Sequence, residues 1–128
     1  MYRILELNPQ LVPFSDNIDL RMNLYRNTKN RLLTAGQDLK DFANGHNFYG
    51  FHHVEGGWYY REWAPSADQL YLEGEFNNWN PTSHPMKRLD GENWELYLPG
   101  DDTLWHGCKV KTVVDYHGSR TEHLPLYI

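Results

Sequence analysis

The stretch QLYLEGEFNNWNP, residues 69–81, decides the fold class of this chain. In its first half apolar and polar residues alternate, so that Leu70, Leu72 and Phe76 fall on one face. This period of two predicts a β-strand with one buried face. The strand is expected to end where asparagine and proline begin, because these residues favour turns. Trp79 lies in that turn.

Other segments on either side have the same character. An aromatic run, residues 58–63, precedes the opening stretch, and two alternating runs, residues 93–98 and 108–116, follow it. A short final strand is expected near Arg120. Clusters of Asn, Asp, Pro and Gly separate these segments, as turns require. Short antiparallel strands at this spacing predict a mainly β fold, an immunoglobulin-like β-sandwich.

The chain divides by composition into two unlike parts. Residues 46–128 hold fifteen of the Phe, Trp and Tyr residues, among them all five Trp. They also hold all seven His and carry most of the negative charge. Residues 1–45 hold four aromatic residues and have almost balanced charge. We therefore predict an N-terminal α-helical segment over residues 1–45 and the β-sandwich over residues 46–128.

The N-terminal part has helical signals. Ser15, Asp16 and Asn17 are candidate N-cap residues, since their side chains can accept the first free backbone N–H groups. Apolar residues then recur at a period near 3.6. Gly36 is expected to end this helix, and residues 38–43 are predicted to form a second, short one.

Length and charge exclude several classes of function. At 128 residues the chain is too short for a β/α barrel of about 250 residues. The net charge of −5 argues against a nucleic-acid partner. The single Cys108 allows no disulfide within the chain, and neither a membrane span nor a secretion signal is evident, so we expect a cytoplasmic protein. No metal-ligand spacing, nucleophile triad or dinucleotide motif occurs, so no catalytic residue, metal or cofactor is predicted.

The asparagine-rich turn is the best candidate for a binding site. An exposed indole offers a flat apolar surface on which a sugar ring can stack, and amides can bond its hydroxyl groups. Trp79 with Asn77 and Asn78 fits that chemistry, and Lys111, on a strand, could supply a cation to the same ligand. The alternatives are that Trp79 folds back as a plug under the loop and that Lys111 is a solvated strand residue.

A pair of carboxylates and a further tryptophan are also candidates for a functional site. Glu73 and Glu75 share a strand face about 7 Å apart, the separation of carboxylates in an inverting glycosidase. Nothing around them indicates a pocket, so a solvated face is expected instead. Trp63 lies at a strand end, two residues before Pro65, where either a core position or an exposed one is possible.

Several short motifs recur along the chain in a set typical of one family. They are LNPQLVPF (7–14), FYGFH (48–52), EWAP (62–65), LEGEFNNWN (72–80), HPM (84–86) and NWEL (93–96). Together these motifs resemble carbohydrate-binding module family 48, the N-terminal β-sandwich of glycogen branching enzymes and their relatives in the α-amylase superfamily. The N-terminal helical part resembles that of the eukaryotic-type branching enzymes in particular.

The resemblance implies a function for the chain as part of a longer enzyme. Such enzymes cleave an α-1,4-glucan and rejoin the fragment through an α-1,6 linkage, and their catalytic residues lie on a barrel. Residues 122–128 resemble the stretch that precedes this barrel. The expected partners are therefore an α-glucan polysaccharide and an intramolecular catalytic barrel, and no catalysis is expected from these 128 residues. In the alternative, the sandwich binds no sugar and only packs against the barrel.

The resemblance also implies individual sugar contacts. Trp79 matches a loop Trp that stacks on sugar in glycogen-binding members of the family, and Lys111 matches a sugar-contacting Lys of the same subgroup. That subgroup has a second stacking Trp, which would fall near Arg120, and no Trp is present there. Trp63 and Pro65 match residues that line a glucan-binding cleft between helical segment, sandwich and barrel.

Overall fold

The computed structural model describes all residues, 1–128. The chain folds into two compact units. The first unit is Met1–Asn44 and the second is Gly45–Ile128. No helix in either unit combines the length and apolar character that crossing a membrane would require.

The first unit is helical. It contains α1 (Arg3–Leu7), a 3-10 turn (Pro9–Phe14), α2 (Ser15–Leu32) and α3 (Leu39–Phe42). Leu5 in α1 is its only buried residue.

The beginnings of these helices differ from expectation in one respect. The N-cap position of α2 is Phe14, which gives no side-chain cap, so the predicted capping by Ser15, Asp16 or Asn17 is wrong. The physical reason is that the preceding 3-10 turn runs directly into α2, which leaves no extended residue where a cap could form. Helix α3, by contrast, begins with a capping box in which Asp38 and Asp41 bond each other's backbone N–H groups.

The second unit is a β-sandwich of seven strands, and the predicted fold class is confirmed. The strands are β1 (Gly50–Val54), β2 (Gly57–Trp63), β3 (Gln69–Gly74), β4 (Lys87–Arg88), β5 (Asn93–Pro99), β6 (Val110–Tyr116) and β7 (Ser119–His123). One antiparallel sheet has the order β1-β2-β5-β4, and the other has the order β3-β6-β7. Strands β1 and β4 were not predicted, because β1 lacks alternation and β4 has only two residues.

The core lies between the two sheets. Leu70 and Leu72 of β3 are fully buried there with Tyr60 of β2 and Leu98 of β5. The Tyr60 hydroxyl donates to the Glu62 carboxylate and lies 2.7 Å from the Thr112 hydroxyl of β6. This buried hydrogen-bond network joins the two sheets across the core.

The alternation along β6 separates two surfaces of the three-stranded sheet. Val110, Thr112 and Val114 face the core, so Lys111 and Asp115 face outward. We call this outward surface the outer face; its side chains come from Tyr71, Glu73, Lys111, Val113, Asp115, Arg120 and Glu122.

Candidate functional site

The loop after β3 presents Trp79 at the surface. A 3-10 turn (Glu75–Asn77) follows the strand, and Asn78 and Trp79 then adopt left-handed backbone conformations with φ of 54° and 57°. The Trp79 N–H donates to the Gly74 carbonyl at 2.9 Å, which closes the turn. The residue is 41% exposed, so its indole is a surface group and not a plug beneath the loop.

Asn77 has a different place from the one expected of a sugar contact. Its Oδ1 accepts the Gly74 N–H at 2.9 Å. Its Nδ2 has four acceptors within 3.2 Å, which are the carbonyl groups of Leu72 and Asn80, Ser83 Oγ and His84 Nδ1. With the whole amide engaged in this way, Asn77 holds the loop in shape. Asn78 is exposed beside it.

Gly74 is required where the loop leaves the strand. A Cβ atom at this position would lie 2.4 Å from the Lys109 carbonyl oxygen and 2.9 Å from a methyl group of Val110. Because the obstructing oxygen belongs to the backbone of the neighbouring segment, a side chain here would push the loop away from the sheet. The glycine therefore lets the Trp79 loop lie close to the outer face.

Lys111 is the nearest cation to the indole. Its Nζ lies 5.9 Å from the centre of the Trp79 ring, within the range of a cation–π contact. It also donates to Glu122 Oε2 of β7 at 2.8 Å, and both side chains are nearly half exposed. This hydrogen bond raises the pKa of Lys111 and lowers the pKa of Glu122, so both groups stay charged at neutral pH. The pair presents donors and an acceptor next to the aromatic ring.

Glu73 lies on the same face but is covered, so the expectation that it belongs to a solvated face is wrong. The residue is only 3% exposed, and it pairs directly with Lys111 across the strands. Burial, together with the negative charge of Glu122 beside it, raises the pKa of Glu73. Glu75 instead accepts the backbone N–H of Lys109 at 2.9 Å. The two glutamates therefore have separate structural surroundings.

Arg120 occupies the position where a second aromatic platform is missing. Its guanidinium donates two hydrogen bonds to Asp115, of 2.7 and 2.9 Å, and its Cζ lies 5.4 Å from the centre of the Tyr71 ring. The bidentate pair holds the guanidinium plane over the ring. At the position of Arg120, the outer face therefore has a charged surface where the glycogen-binding subgroup has a second stacking Trp.

Trp63 and Pro65 lie elsewhere. Trp63 is 48% exposed at the end of β2, and with Pro65 it lines a shallow groove whose other wall includes Val114 and His123. Val114 lies on the core side of β6, whereas Lys111 lies on its outer side. The structure therefore brings Trp79, Asn78 and Lys111 together and places Trp63 and Pro65 on the opposite side of the three-stranded sheet.

Sequence reasoning did not find Glu122. The only available signal was the alternation expected for the short final strand, and without the register of β7 against β6 that signal does not show which glutamate meets Lys111. The structure contains no group of three or more His, Cys, Asp or Glu side chains placed to hold a metal ion.

Comparison with known proteins gives the family. Residues 48–127 match the family described as carbohydrate-binding module 48 (isoamylase N-terminal domain). The chain is 38% identical over 117 residues to a 1,4-alpha-glucan-branching enzyme of Felis catus, covering 88% of this chain and 17% of that enzyme. It is 34% identical to the enzyme of the same name from Dictyostelium discoideum, covering 98% of the chain and 19% of the relative.

A plant relative matches over the same length. It is the 1,4-alpha-glucan-branching enzyme 2-2, chloroplastic/amyloplastic, of Arabidopsis thaliana, with 32% identity over 98% of this chain and 16% of the relative. The chain thus spans less than a fifth of each of these enzymes. The predicted resemblance is confirmed, and the chain belongs to the carbohydrate-binding module 48 family.

Proposed function

We propose that the chain binds α-1,4-linked glucan chains, such as those of glycogen or starch, on the outer face, with Trp79 as the stacking residue. The observation that carries the proposal is the position of this indole. It is exposed in a fixed turn, with the Lys111 ammonium 5.9 Å from the ring centre. An apolar plane bordered by a charged donor suits a pyranose ring, which has C–H groups on its faces and hydroxyl groups around its edge.

In this proposal each group around Trp79 makes a different contact with the sugar. The Trp79 ring takes the apolar face of one glucose residue, while Lys111 donates to a hydroxyl group at its edge. Glu122, bonded to Lys111, keeps the ammonium charged and in place. Asn78, exposed at the tip of the turn, supplies a further amide. An open surface of this kind buries little of its ligand, so binding of a short oligosaccharide is weak and a polymer with many chains gains by avidity.

The relatives support a place for this activity in a larger protein. We propose that residues 1–45 and 46–128 are the helical segment and the binding module of a cytoplasmic 1,4-alpha-glucan-branching enzyme. In that enzyme the module would position glucan chains for a barrel that converts α-1,4 segments to α-1,6 branches. Trp63 and Pro65 would line a second stretch of the glucan path beside the barrel. These 128 residues would provide binding and no catalysis.

Titration with maltoheptaose tests the proposal. We expect saturable changes in tryptophan fluorescence, and in the NMR signal of the Trp79 indole N–H, at about millimolar sugar. Trp79→Ala should abolish them, and Lys111→Met should weaken binding without unfolding the domain. Trp105→Ala is the matched control, because Trp105 is also an exposed tryptophan of this unit. An unchanged titration in Trp79→Ala would contradict the proposal, and new branch points after incubation with amylose would contradict the lack of catalysis.

A structural role is the second candidate, and one observation favours it. Trp63, Leu124 and Leu126 expose apolar surface around the grooves on the core side of β6. Such a surface suits packing against another domain. If the sandwich serves only this purpose, maltoheptaose should produce no response at Trp79 at any concentration tested.

A further inference from the structure

A second aromatic surface lies on the four-stranded sheet. Tyr59 of β2 and Tyr97 of β5 are direct cross-strand partners, with ring centres 5.0 Å apart and planes inclined at 43°. We call these two residues the tyrosine platform. Neither the family resemblance nor the site around Trp79 accounts for it.

The ring of Tyr97 is held flat against the sheet. Its hydroxyl donates to the Gly56 carbonyl at 3.2 Å. A Cβ atom built on Gly57 would lie 2.8 Å from that hydroxyl oxygen and 2.9 Å from ring carbon Cε2, so the ring passes directly over the glycine backbone. Tyr97 is nevertheless 44% exposed. One residue without a side chain thus gives the ring a fixed position with an open surface, which lowers the entropy that a stacking ligand must overcome.

Charged groups border the platform on one side. Arg61 and Glu95 are the next outward-facing cross-strand pair, about 7 Å along the strands by two-residue spacing. Arg61 Nε donates to Glu95 Oε2 at 2.8 Å, and the Arg61 Cζ lies 5.1 Å from the centre of the Tyr59 ring. Both charged side chains are partly exposed. Donors and acceptors therefore lie one step from the aromatic rings.

We propose that the tyrosine platform is a second α-glucan-binding surface, with Tyr97 as its stacking residue and the Arg61–Glu95 pair as its hydrogen-bonding edge. Two rings inclined to one another form a bent surface, which suits the curved chain that α-1,4 linkages produce. A tyrosine surface bordered by an ion pair suits a sugar, because the rings can take its apolar C–H faces and the charged groups can bond its hydroxyl groups.

The two surfaces are separate. The Tyr97 side chain lies on the outward side of the four-stranded sheet. Trp79 adjoins the outer face of the three-stranded sheet, on the other side of the core. A short oligosaccharide occupies one of them at a time, whereas a branched polymer can contact both. The proposal extends the binding function to a new site and does not depend on Trp79.

NMR titration of the chain with maltoheptaose tests the second site residue by residue. We expect the amide signals of Gly56 and Gly57, which lie next to the Tyr97 ring, to shift with their own affinity, apart from the Trp79 indole signal. Cellohexaose, a straight β-1,4 chain, should shift Gly56 and Gly57 less. If Trp79 responds while these glycines do not, the second site is refuted and the proposed function stands. If the signals of Gly56 and Gly57 respond and the Trp79 signal does not, the proposed binding at Trp79 is refuted and the second site stands.

Substitutions separate stacking from general apolar contact. Tyr97→Ala and Tyr97→Leu should both weaken binding at the glycine signals by about threefold to tenfold, the range for loss of one aromatic contact. Tyr97→Phe, which keeps the ring and the fold, should retain most of it. The matched control is Tyr25→Ala, an exposed tyrosine of the helical unit. Wild-type affinity of Tyr97→Leu at Gly56 and Gly57 would overturn the proposal.

Discussion

Trp79 has a backbone conformation that predicts an unusual order of stability. At φ 57° an L-residue lies in the left-handed region, which glycine adopts freely. We therefore compare Trp79→Ala with Trp79→Gly, since both remove the indole and differ only in the methyl group. We expect Trp79→Gly to be the more stable of the two, the opposite of the order found at ordinary positions.

The size of the effect follows from two opposing terms. The left-handed conformation costs an alanine about 1–2 kcal/mol. Glycine loses about 0.5–1 kcal/mol relative to alanine through its larger freedom in the unfolded chain. The net difference favours Trp79→Gly by about 0.5–1 kcal/mol. For a unit the size of Gly45–Ile128, each 1 kcal/mol shifts Tm by roughly 4–8 °C, so calorimetry can resolve the difference.

Trp105 supplies the matched control. It is 49% exposed and is not among the residues with positive φ. At this position Trp105→Ala should be more stable than Trp105→Gly by about 0.5–1 kcal/mol. At each position the measured quantity is the stability of the alanine variant minus that of the glycine variant. The reasoning would be refuted if this difference were the same at Trp79 as at Trp105, with alanine the more stable at both.

The same two variants also test binding independently of folding. Trp79→Ala and Trp79→Gly should lose maltoheptaose binding equally, although their stabilities differ. Such a result would show that the lost affinity comes from the missing ring and not from a disordered loop. If binding instead followed stability across the pair, the stacking role of the indole would have to be abandoned.

Three further predictions concern the groups that hold the fold. Burial lowers the pKa of His84, so below about 6.5 the unfolded chain takes up a proton that the folded chain resists; urea unfolding should show stability falling from pH 7.5 to 5, and His84→Asn should reduce that slope. Asn77→Ala should cost about 1–3 kcal/mol in urea unfolding and shift the Trp79 indole NMR signal, because the loop loses its central amide. Tyr60→Phe should cost about 1–3 kcal/mol in thermal unfolding, since the buried Glu62 carboxylate loses a donor; an unchanged Tm would show that the network adds nothing.

Local pattern was sufficient for most of the sandwich. The alternation in residues 69–76 predicted β3 and its core face, since a period of two assigns each side chain to one side of the sheet. Asparagine and proline after it predicted the turn that exposes Trp79. Strand β1 was missed because its two adjacent histidines interrupt any alternation.

The arrangement around Trp79 depended on contacts between distant segments. Alternation placed Glu73 on the outer face but did not show that this part of the face is covered. The partner of Lys111 is Glu122, eleven residues further along the chain. The register of β7 against β6 brings the two side chains together. Asn77 was expected to face a ligand, and its amide is instead engaged within the loop.

By itself the sequence determined the fold class and the turn that contains Trp79, because periodicity and turn preference act between neighbouring residues. Only the tertiary structure decided that the Trp79 indole is exposed and does not fold back under the loop. Tertiary structure alone decided that Lys111 and Glu122 meet beside Trp79, and that Trp63 and Pro65 lie on the other side of the three-stranded sheet. It also laid the Tyr97 ring over Gly57, forty residues away in sequence. The physical reason is that strand register and ring packing are fixed by the collective fit of the two sheets, which no local pattern records.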